Sequence, residues 1–299
     1  MPVGRGQFAA LLKPDLWRVH VDTGRRRTLE YPQVFNIKDM PWSIVDDRQI
    51  SGLNTLQSMN EGDQFPLDEP LLGGIKQFEA EIFGLAVEIT YPMWVDDQYG
   101  VIRDITAELT NASMNKQEVE AWSVLNNAFD ASFTGYDGLS LCNASHTLLG
   151  GGTSANRPAT DVGFSTLAIQ NSLLRYHSMV DERGLPRLMT PGNVLIHQNN
   201  VFLAREVLGS AGKPFSADNQ QNSLIPDELQ WMVCHYFTNA TQWFLAASKG
   251  THDLNFLWRT QPIFDVFDDP WTKNAVASVW QRHTKGFSLW RGVDGSKAS

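Results

Sequence analysis

Between Asp96 and Asp130 apolar residues return every third or fourth position. Ile102, Ile105 and Leu109 are followed by Val119, Trp122, Leu125 and Phe129, with polar residues between them. That spacing marks one face of an α-helix. About 30 helical residues make a rod on the order of 45 Å long, with Thr110 to Ser113 the place where it would bend. Asp96 and Asp97 stand at its start, where carboxylates suit the helix dipole. A rod of this length needs a cover for its apolar face, which the flanking segments must supply.

On its N-terminal side the chain gives no second period. Glycine and proline interrupt residues 1–51, yet Phe8, Leu11, Leu12, Trp17, Phe35 and Trp42 are scattered among them. A free tail is poor in apolar residues, so the stretch reads as an extended arm lying on another surface. Six cations (Arg5, Lys13, Arg18, Arg25, Arg26, Arg27) stand against Asp15, Asp22 and Glu30 there. A solvated arm and one docked on an acidic surface both fit that balance. Residues 52–91 read as a long β-hairpin with its tip at Pro66 to Gly74. Phe65, Leu67, Leu71 and Leu72 lie around that tip, and Phe78, Ala80 and Ile82 share one side of the second limb. A two-stranded ribbon is marginal alone in water, so this one requires a partner surface.

Beyond the rod the pattern predicts a helix near Phe164 to Arg183, a strand over Arg187 to His197 and a helix over Asn199 to Leu208. Short β-rich runs follow: LQWMVCHYF, TQWFLAAS, LNFLWRT and AVASVWQRHTKGFSLW. The class is α+β with two long appendages. A net charge of −9 argues against a broad nucleic-acid-gripping face. Two distant cysteines, Cys142 and Cys234, suit a reducing compartment and make neither a metal site nor a disulfide framework. No apolar run reaches the roughly 18 residues that a membrane span needs.

FTGYDGLSLCNASHTLLGGG, residues 133–152, offers the one concentration of reactive side chains: Cys142, Ser145 and His146 before three glycines. A cysteine or serine hydrolase is the sharp reading, a polar loop closed by glycines the bland one. Sequence neighbours rarely form nucleophile–base pairs, and no third orienting group is apparent, so the loop is preferred. Asp46-Asp47, Asp96-Asp97 and Asp268-Asp269 sit at element boundaries, where adjacent side chains point apart and serve as caps. Dispersed histidines give no metal spacing. No phosphate-loop, dinucleotide or nucleophile-elbow motif occurs, since GSAGK (209–213) has the wrong spacing. No catalytic residue, metal or cofactor is expected.

Five segments resemble, in order, the major capsid proteins of tailed bacteriophages of the Mu-like head-subunit type: FAALLKPDLWRV (8–19), ITYPMWVDDQYGVIRD (89–104), residues 133–156, DERGLPRLMTPGNVLIHQNNVFLAREVLGS (181–210) and FSLWRGVDGS (287–296). The resemblance implies the Hong Kong 97-like shell fold, in which residues 133–156 are a link between domains without catalysis. It divides the chain into an N-terminal arm (1–51), an extended β-hairpin loop (52–91), a peripheral domain with a spine helix (92–159 and 259–299) and an axial domain (160–258), with 287–296 closing the peripheral part. It implies hexamers and pentamers around double-stranded DNA held without sequence-specific binding, in virions assembled in a bacterial cytoplasm. A portal is an expected partner, with scaffold, protease or decoration proteins as separate products. Phe8, Leu11, Leu12, Trp17, Phe35, Trp42, Phe65, Leu67, Leu71, Leu72 and Phe78 become candidate inter-subunit contacts. Removing residues 1–30 is expected to leave a folded subunit that cannot build stable shells. An encapsulin-like nanocompartment shell is the alternative within the same architecture.

Overall fold

The computed structural model describes residues 8–97, 100–210, 212, 222, 224, 229–269, 271–272 and 274–298. Its backbone is the expected rod, helix α4 (Val101–Asn126), preceded by α1 (Phe8–Arg26), α2 (Tyr31–Val34) and α3 (Tyr91–Val95). Asp97 caps α4, accepting hydrogen bonds from the Val101 and Ile102 amides. The helix runs unbroken through 110–113. Thr106 and Thr110 donate back to the carbonyls four residues earlier, which satisfies hydroxyls buried in its apolar face.

One sheet lies under the first half of α4 in the order β1-β10-β11-β4. It comprises β1 (Asn36–Asp39), β10 (Leu254–Asp268), β11 (Ala275–Phe287) and β4 (Glu81–Ile89). The β1 pairing is parallel and the others antiparallel. β10 continues past Thr260, where the LNFLWRT pattern ends, because the register shifts around Thr260 to Ile263 absorb Pro262. A second sheet, in the order β12-β9-β7-β8, holds β12 (Val293–Lys297), β9 (Gln242–Ala247), β7 (Pro191–His197) and β8 (Gln230–Cys234). It packs with α5 (Thr166–His177), α6 (Val201–Gly209) and the second half of α4 into the larger core. Residues 287–296 therefore do not all close the first sheet: β12 pairs with β9. Asp294 holds it to α5, accepting from Ser172 Oγ and both forks of Arg175.

Two appendage assignments change. The first part of the arm is not extended but the helix α1, whose Ala9, Leu12 and Leu16 are buried with Ile102, Leu109 and Phe264. Its first turn is capped from outside by Asp268, which accepts from the Ala9 amide, and Pro14 is accommodated inside it. The ribbon is also shifted. β2 (Ile44–Ile50) pairs with β3 (Leu72–Glu79), and residues 51–71 between them contain no strand. Gly73 and Gly74 lie within β3 rather than at a tip. A Cβ on Gly74 would come 2.3 Å from the Tyr136 carbonyl oxygen, and one on Gly73 2.3 Å from the movable Gln49 Oε1, so close packing rather than a turn demands glycine at 74 and favours it at 73. The limb then changes partner at Ala80: β3 stays with β2 while β4 crosses to β11.

His283 on β11 is 1% exposed, packed among Phe83, Phe256 and Trp258, and neither ring nitrogen has a hydrogen-bond partner among the described residues. Burial, helped by Lys285 and Lys116 against the opposing pull of Glu120, pushes its pKa down to about 4. Between about 6.5 and 4 the unfolded chain holds a proton that the folded chain refuses. The stability tied to His283 is thus complete above pH 6.5 and lost as pH falls towards 4, by on the order of 3 kcal/mol. His283→Phe, which keeps the ring stack, should flatten the decline of Tm over that interval. An unchanged slope would contradict the assignment.

The burial of α1 gives the arm a role within the subunit's own core besides the one expected of it in assembly. Deleting residues 1–30 removes buried Leu12 and Leu16, each worth roughly 1.5–3 kcal/mol, and uncovers Ile102, Leu109 and Phe264, so Tm of the subunit should fall by on the order of 10 °C. An unshifted melting curve would show that α1 is not part of the fold.

Candidate assembly surface

The ribbon β2–β3 and its connecting segment leave the body of the subunit. Of residues 51–71 only Ser51 is buried, and Leu71 is half-buried. The ribbon's base is tied down: Lys76 Nζ donates to the Thr134 carbonyl (2.7 Å), Ser288 Oγ to Asp47 and Arg183 Nε to the Gly52 carbonyl, while Arg183 also pairs with Asp68. Beyond these ties Leu56 is 101% exposed, Leu67 93% and Phe65 79%. The segment holds its shape through local bonds, Asn54 N to Asp68 and Asn60 N to Asp63. Large apolar side chains on a strand-free loop gain nothing in water. Each returns about 1.5–3 kcal/mol when another surface covers it.

The expected contact residues divide. Phe65, Leu67 and Leu72 project from the extension, and Trp42 (72% exposed) stands beside it. Trp17 is half exposed on α1, its ring 6.1 Å from that of Phe264. Leu12, Phe35 and Phe78 belong to the subunit's own cores, at 6%, 0% and 4% exposure, and make no surface. The side chains of Phe8 and Leu11 lie outside the described residues, as do residues 1–7. A further apolar patch was missed: Ile82, Ile263, Phe267 and Trp280 are exposed on the first sheet, where Ile263 pairs with Trp280 across the strands. The alternation of IFDVF (263–267) carried the signal, but the sequence pattern had ended the strand before Pro262.

Residues 133–156 form a scaffold rather than an active site. His146 is fully buried, stacked on Trp290 at 4.3 Å, and both ring nitrogens are engaged. Nδ1 meets the Asp137 carboxylate at 2.5 Å, and Nε2 meets Asn156 Oδ1 at 3.0 Å. The amide nitrogen of Asn156 donates to the Leu141 and Val293 carbonyls, so its oxygen is the atom that faces the histidine. With no free ring nitrogen, His146 cannot serve as a base for Cys142 or Ser145. Burial also pushes the Cys142 thiol well up, away from a nucleophilic thiolate. The glycines make the turn between β5 (His146–Thr147) and β6 (Thr153–Ser154): Gly151 and Gly152 both have positive φ. Among the described residues no three His, Cys, Asp or Glu side chains cluster as metal ligands, and no helix is long and apolar enough to cross a membrane.

A two-core body with an exposed apolar extension suits a subunit that completes itself against other chains. A family model described as "Phage capsid protein" matches residues 75–293, and the chain belongs to that family. No curated protein sequence matches it. Its fold is that of solved shells. The capsid of a native GTA particle superposes with a TM-score of 0.60 at 7% identity, covering 92% of each chain. Microbacterium phage Oxtober96 gives 0.55 at 8% identity, over 91% of this chain and 92% of that one. A virus-like particle from Pyrococcus furiosus gives 0.53 at 7% identity, over 95% and 99%. The protein is a tailed-phage major capsid protein with the Hong Kong 97-like fold, a structural component of the virion without enzymatic activity.

Cys142 and Cys234 are unpaired and both 0% exposed. A thiol reagent such as Ellman's should therefore label neither in the folded chain and both after denaturation. Rapid labelling of one thiol in the native state would reopen the case for a reactive cysteine.

Proposed function

We propose that the chain is the repeating subunit of an icosahedral head, assembling with copies of itself into hexamers and pentamers that enclose double-stranded DNA. The observation that carries this reading is the extension: exposed Leu56, Phe65 and Leu67 on a loop that has no core of its own. Repetition of one apolar contact over many copies turns a modest burial into a stable shell. In this reading the arm (1–51) and loop (52–91) reach neighbouring subunits through exposed Trp17, Trp42, Phe65, Leu67 and Leu72, with half-buried Leu71 beside them. The first sheet with α4 serves as the peripheral domain between capsomers. The second sheet, taking β12 with it, serves as the axial domain around capsomer centres. The ordered motifs support the narrower Mu-like assignment. A net charge of −9 favours enclosing DNA without gripping it. Assembly takes place in the host bacterial cytoplasm, with a portal and any scaffold, protease or decoration proteins as separate partners.

A second reading, a nanocompartment holding protein cargo, draws on the likeness to the Pyrococcus furiosus particle. Nuclease-protected DNA in purified particles favours the head, and co-purifying protein cargo favours the compartment.

Phe65→Ser with Leu67→Ser tests the surface itself. Both positions are exposed, so stability should change by no more than about 0.5 kcal/mol. Closed shells seen by electron microscopy and sedimentation should be lost. Normal shells from this variant would show that the extension is not the adhesive contact.

A further inference from the structure

We draw no further inference here: the strongest candidate, an apolar slot of about 390 Å³ between α4 and strands β4 and β11 lined by Ile82, Phe83, Leu85, Leu109 and Val279, has its rim cation Lys116 already paired with Glu120, and nothing in the structure shows what covers it.

Discussion

Helix α4 is buried in two cores at once, and the rest of the subunit is arranged by that fact. Its first half supplies Ile102 and Leu109 to the cluster beneath α1 and the first sheet. Its last turns supply Ala121, Trp122, Val124 and Leu125 to the larger core around the second sheet. Glu118 sits between these halves, 1% exposed, and accepts hydrogen bonds from the Glu30 and Tyr31 amides and from Trp122 Nε1. Burial raises the Glu118 pKa while the three donors oppose the rise. The carboxylate thereby caps the short helix α2 and fixes where the arm crosses the rod. Tyr31, beside it, has its phenol pushed up to about 12 by burial and by the same carboxylate. A buried acid of this kind gives little net stability, but it leaves few alternative ways to lay the arm down.

The rod was legible because its period is strong and its cap, Asp97, is a local device. The class and the shell family were legible from the order of motifs. What stayed hidden depended on contacts between residues far apart in sequence. The α1 segment carries Pro14 and two kinds of face, so its helix forms only because Ile102, Leu109 and Phe264 receive it. Gly73 and Gly74 look like turn residues, yet they are set by the approach of Gln49 and Tyr136. The change of sheet at Ala80 breaks the apparent continuity of Phe78, Ala80 and Ile82: the first two are buried, and Ile82 faces out.

The rejection of a catalytic reading for 133–156 rests on the same point. Cys142, Ser145 and His146 are close in sequence, but function depends on which atoms are free. Asp137 and Asn156 take both histidine nitrogens, and Trp290 covers the ring. Ser145 is exposed, and His146 belongs instead to a buried polar hub with Asp137 and Asn156. It stitches the loop to the closing segment through the Leu141 and Val293 carbonyls. Full satisfaction of such a hub makes it rigid and specific, which suits a joint in a load-sharing shell better than it suits chemistry.

The extension poses the opposite problem. A loop carrying exposed Leu56, Phe65 and Leu67 would promote indiscriminate association if it were apolar throughout. Within 51–71 those residues are interleaved with Glu61, Asp63, Asp68 and Glu69, and the segment contains no lysine or arginine. Four carboxylates repel the same loop on another subunit, so loop-to-loop pairing is disfavoured while docking onto a different, less acidic face is not. Asp68 is drawn back to Arg183 and Asp63 to the Asn60 amide, so these carboxylates also shape the loop before it finds a neighbour. Pre-shaping lowers the ordering cost of each contact. In the proposed shell, self-repulsion combined with a prepared apolar surface would favour a heterologous, head-to-tail contact, the kind that closes rings and shells.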